Sequence, residues 1–101
     1  MTGKRIRHMV IFNLKYGKAS AEADKFLTDG KAVLTQIPVV EGFEVLMQVS
    51  PKNDYDFGFS MEFADQAAYE AYNSHPQHVN FVKEHWVKEV TSFLEIDFKG
   101  I

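Results

Sequence analysis

The chain has 101 residues, 46% of them apolar and 25% charged, with a formal net charge of −3 and no cysteine. That length and balance belong to one soluble globular domain spanning residues 1–101, and its scattered basic residues form no stripe for nucleic acid. Without cysteine there is no disulfide framework, no thiolate nucleophile and no Cys-based metal site, which fits a reducing, cytoplasmic setting.

At the start, basic residues precede only a short apolar run, Met9 to Phe12, too short for a signal-peptide core. No stretch approaches the ~20 apolar residues of a membrane span, so no membrane partner is expected. From residue 5, "RIRHMVIFNLK" alternates as a strand, with His8, Val10, Phe12 and Leu14 on one side. Met9 and Ile11 make the other side apolar as well, so both faces call for cover.

"SAEADKFLTDGKAVLTQIP" then takes up helical spacing, capped by Ser20 and stopped by Pro38. Gly30 inside this helix costs about 1 kcal/mol against alanine, which predicts close packing on a sheet. "EGFEVLMQVS" and "YDFGFSMEF" read as two further strands, the second with Phe57, Phe59, Met61 and Phe63 on one face. Asp65 caps a helical segment through Tyr72, and a second opens at Pro76, with Phe81, Val82, Trp86 and Val90 as its apolar side. "TSFLEIDF" is the last strand.

The order β-α-β-β-α-β is the ferredoxin-like pattern, an α+β fold with a four-stranded antiparallel sheet. Its helices cover one sheet face and leave the other apolar face open. Burial of that face in a twofold homodimer is the economical solution, since a domain this small gains from extra burial. The face expected at the interface carries His8, Val10, Phe57, Phe59 and Leu94.

The segment "YNSHPQHVNF" places Tyr72, His75 and His78 within seven positions, in a chain with four histidines. His75 precedes proline and reads as a cap or turn residue. His78 falls in a first helical turn, where the dipole favours a neutral imidazole. Beside the Tyr72 hydroxyl, it reads either as a general base or as a partly buried, hydrogen-bonded histidine. His78 and His85, two turns apart, make a poor chelate, so no metal or other cofactor is expected. His8, on an apolar strand face, reads as a satisfied core residue unless that face lines a pocket.

The stretches "RIRHMVIFNLK", "IPVVEGF", "YDFGFSMEFADQAAYEAYNSHPQHVNFV" and "SFLEIDF" together resemble the stress-responsive A/B barrel (Dabb) family across nearly the whole chain. The resemblance implies a dimeric α+β barrel, with a cavity between the sheet and the second helical region. The family includes a plant polyketide cyclase that forms olivetolic acid by aldol condensation. Carried over from it, His78 matches the general base and Tyr72 its hydroxyl partner. His8, with Val10 and Phe12, matches the pocket wall, and Phe57 stands where the cyclase has another histidine.

The full expectation is a small apolar or aromatic carbonyl ligand held by His8, Val10, Phe12, Phe57, Phe59 and Phe81. A cofactor-free cyclase, lyase or isomerase step is the implied chemistry. The alternative is a non-catalytic stress-responsive homo-oligomer in which Phe57, Phe59 and Met61 fill the space.

Overall fold

The computed structural model describes residues 4–101. Its elements run β1 (Ile6–Leu14), α1 (Ala21–Leu34), β2 (Glu41–Met47), β3 (Phe57–Phe63), α2 (Gln66–Ser74) and α3 (Pro76–Phe81). A π-helical turn (Val82–Trp86), α4 (Val87–Glu89) and β4 (Val90–Lys99) complete the order. The strands pair antiparallel as β2-β3-β1-β4, the ferredoxin-like arrangement.

The helix ends follow from local chemistry. The Ser20 hydroxyl accepts from the Ala23 N–H at 3.1 Å, and Glu22 and Asp24 occupy the first turn of α1. α1 stops at Leu34, ahead of Pro38, and hydrogen-bonded turns carry the chain to β2. Asp65 caps α2 through the Ala68 N–H at 2.9 Å. His75 ends α2 in an extended conformation (ψ 135°), as a residue before proline should, and its Nδ1 accepts from the Gln77 N–H at the start of α3.

The helices lie on one sheet face, and the core is aromatic. Phe12, Phe59 and Phe63 are fully buried, and the Phe12 ring sits 4.9 Å from both Phe59 and Trp86. Gly30 allows α1 to approach this layer, because a Cβ there would lie 2.9 Å from Phe59 Cζ and 3.3 Å from Phe81 Cζ. The π turn serves the same core. Residues five apart on a regular α-helix point about 140° apart. Widening the helix brings Phe81 and Trp86 onto one side, 5.6 and 6.1 Å from the Phe26 ring.

The interface expectation needs correction. His8, Val10, Phe57 and Phe59 are all buried beneath the helices rather than on the open face. The register pairs Val10 with Phe59 and with Glu95, whereas Leu94 pairs with Ile11. Leu94 therefore faces away from His8. The open face is built from Met9, Ile11, Leu46, Leu94, Ile96 and Phe98, with Leu94 and Phe98 about half exposed. Strand alternation states which residues share a face. It does not state which face the helices take, or how β4 is phased against β1.

Candidate functional site

A cavity of about 290 Å³ lies between the sheet and the α2–α3–π region. β1 supplies His8 and Val10, β3 supplies Phe59 and Met61, and β4 supplies Phe93 and Glu95. Leu34, Tyr72, His78, Phe81, Val82, Trp86 and Val87 close it from the helical side. The exposed residues Val87, Phe93 and Glu95 form its rim. Of the residues expected to contact a ligand, Phe12 and Phe57 do not line this space. Phe12 is packed under Trp86 in the core, and the Phe57 ring lies tilted beside it at 5.9 Å. Phe59 and Met61 form a wall of the cavity without filling it.

Tyr72 and His78 meet across the α2–α3 junction, their ring centroids 4.3 Å apart. The junction explains the approach. The extended His75 backbone and Pro76 break the helix between them, so α3 folds back on α2. His78 Nδ1 lies 3.1 Å from the Asn73 carbonyl oxygen. A carbonyl only accepts, so Nδ1 carries the hydrogen and Nε2 holds the lone pair of the neutral ring.

Burial pushes the His78 pKa below its ordinary value, with His8 and His75 adding to the effect and Asn73 and Glu95 opposing it. Burial raises the Tyr72 phenol far above its usual range, helped by Tyr69 and Glu95, so the hydroxyl stays a donor. One side chain is therefore a neutral acceptor beside another that is a permanent donor. That pair can remove a proton from carbon and hydrogen-bond the enolate oxygen.

His8 is buried, and its Nδ1 donates to Asp97 Oδ1 at 2.6 Å. The Tyr69 hydroxyl donates to the same carboxylate, at 3.0 Å to Oδ2. With Nδ1 committed to Asp97, Nε2 is the ring atom left for a ligand. The His8 and Tyr72 rings lie 6.2 Å apart, and the imidazoles of His8 and His78 line the same cavity.

The stress responsive A/B barrel domain (Dabb) family model matches residues 6–100. The chain belongs to the Dabb family. A Dabb family protein with a ferredoxin-like fold from Mesorhizobium loti is 56% identical, covering 97% of this chain and 98% of its own, with a TM-score of 0.95. A dimeric protein of unknown function from Bacteroides fragilis shares the fold at 21% identity (95% and 96% coverage, TM-score 0.72). The hydroxynitrile lyase of Passiflora edulis does so at 13% (98% and 95%, TM-score 0.83). At such identities the likeness is one of fold. A comparison with curated proteins finds no match to the sequence.

In this Dabb chain, sequence reasoning missed Glu95 and Asp97 on β4 and Tyr69 on α2. Asp97 alternates with Leu94, Ile96 and Phe98 in a strand, and its i, i+2 relation to Glu95 was the available signal. Tyr69 precedes Tyr72 by one helical turn, which puts both on the sheet-facing side of α2. Among the described residues, no three His, Asp or Glu side chains group as metal ligands would, and no helix is long and apolar enough to cross a membrane.

Proposed function

We propose that this Dabb chain binds a small, largely apolar carbonyl compound in the His78 cavity. There it performs a cofactor-free proton transfer of the cyclase, lyase or isomerase type. The observation that carries the reading is the Tyr72–His78 contact at the cavity wall, with His78 Nδ1 tied to the Asn73 carbonyl. In this mechanism Nε2 of His78 takes the proton from the carbon next to the carbonyl. Electron density moves onto the carbonyl oxygen, where the Tyr72 hydroxyl donates to it. The same imidazole, now protonated, returns the proton to the product. His8, oriented by Asp97, positions the substrate.

The working assembly in this reading is a cytoplasmic homodimer closed through the open sheet face. Its support is the unpartnered apolar surface of Met9, Ile11, Leu46, Leu94, Ile96 and Phe98, together with solved relatives described as dimeric.

The test is solvent exchange at carbon. With 4-phenyl-2-butanone in deuterated buffer, the protein should accelerate incorporation of deuterium next to the carbonyl, and His78→Ala should abolish the acceleration. Equal exchange with the wild-type chain and the variant would sink the assignment of the base.

A further inference from the structure

Glu95 has a setting that the proton-transfer scheme does not use. The register places it opposite Val10, on the helix-facing side of β4, where it lines the cavity beside Phe93. Its carboxylate has no hydrogen-bond or ion-pair partner among the described residues. The other titratable side chains of the lining are His8, Tyr72 and His78, and no lysine or arginine is among them. The remaining wall is apolar, with the rings of Phe59, Phe81, Trp86 and Phe93.

We infer that Glu95 sets the charge preference of this cavity, which accepts a carbonyl compound bearing an ammonium group and rejects carboxylates and phosphates. The inference deepens the proposed function and rests on its reading of the cavity as the ligand site. An unpaired carboxylate bordering an apolar space attracts a cation more strongly than the same pair would in water. Aromatic rings around the space favour a cation as well, through their negative faces. An anion would meet Glu95 with no lysine or arginine of the lining to offset it, and like charges brought together at the rim of an apolar space are disfavoured, most at low salt. The Glu95 charge is felt by the reacting groups, because it raises the pKa values of both Tyr72 and His78.

Three probes of matched shape test this: 2-phenylethylamine, 3-phenylpropanoate and 4-phenyl-2-butanone, titrated at neutral pH and low salt into the full chain by calorimetry or amide-shift NMR. The wild-type protein should bind the amine at least about tenfold more tightly than the carboxylate. Glu95→Gln should erase that preference, weakening the amine relative to the carboxylate by at least about tenfold. Glu95 is exposed and unpaired, so this variant should fold, and circular dichroism checks it. Equal binding of amine and carboxylate by wild type, or a preference that survives Glu95→Gln, would overturn the inference. Failure of all three probes to bind would remove it together with the ligand-site reading. A charge preference without deuterium exchange on the ketone would support Glu95 while rejecting the proposed reaction.

Discussion

His8 and Asp97, 89 residues apart in sequence, face each other across the β1–β4 ladder with Nδ1 and Oδ1 separated by 2.6 Å. The pair turns a buried histidine from a desolvation penalty into an oriented group, since Asp97 satisfies the nitrogen that the core would otherwise strand. Removing the carboxylate with Asp97→Ala should cost about 1 to 3 kcal/mol, the expense of a buried donor left unmade. Tyr69→Phe should cost less, because His8 keeps its direct partner. Urea denaturation of the two variants measures the difference, and equal losses would show that the Tyr69 hydroxyl matters as much as the carboxylate.

Catalytic roles separate by variant. His78→Ala should lower turnover by a factor of about 10² to 10⁴ with fold and assembly intact, the range of a positioned general base. Tyr72→Phe keeps the ring that packs against His78 and removes only the hydroxyl. It should lower kcat more than it raises KM, because a bond to a developing oxyanion strengthens in the transition state. Steady-state kinetics on both variants decides it, and an unchanged kcat in Tyr72→Phe would exclude the phenol as oxyanion donor.

The acid limb of the pH profile reports the base. Burial lowers the His78 pKa below its ordinary value of 6.5, so kcat/KM should rise with pH through a midpoint below 6.5. The same shift has a stability consequence. Below pH 6.5 the unfolded chain binds the proton more readily than the folded one, so stability falls as pH drops toward the folded pKa. Glu95→Gln removes a charge that raises the His78 pKa, and should move the midpoint lower still. Titration of the His78 ring resonances by NMR gives both midpoints, and a wild-type value above 6.5 would contradict the burial argument.

Gly30→Ala runs against helix propensity. Alanine normally gains about 1 kcal/mol over glycine inside a helix. Here its Cβ would lie 2.9 Å from Phe59 Cζ, and Phe59, packed against Phe12, Phe26 and Phe43, can yield only toward the cavity it borders. Overpacking of this kind costs about 1 to 3 kcal/mol, so the substitution should be neutral to destabilising rather than stabilising. It should also disturb the cavity wall that Phe59 and Phe81 form. A raised thermal midpoint for Gly30→Ala would show that α1 can move off the sheet freely.

The interface prediction follows the corrected face. Leu94→Lys places a charge on the open sheet surface, on the edge strand β4 opposite Ile11. It should yield a folded monomer, because an exposed lysine costs the protomer little and an unpaired buried one costs an interface much. Light scattering at micromolar concentration measures the mass. A persistent dimer in Leu94→Lys would place the contact on another surface.

The sequence by itself determined the order of elements, the caps at Ser20, Asp65 and His75, the close approach at Gly30 and the surplus of apolar sheet surface. Each is encoded locally, in residue type or in a period of 2 or 3.6. The Tyr72–His78 contact was legible for the same reason, since both lie within one short segment around Pro76. Which sheet face the helices cover was not, because Met9 and Ile11 make β1 apolar on both sides and alternation is symmetric between them. Nor could the sequence bring Tyr69, Glu95 and Asp97 to His8 and His78. Those placements depend on the β1–β4 register and on how the helices, with the π turn at Val82–Trp86, pack on the sheet. Only the tertiary structure leaves an acidic residue at the rim of an aromatic cavity, because the long-range pairing decides which side of β4 looks inward.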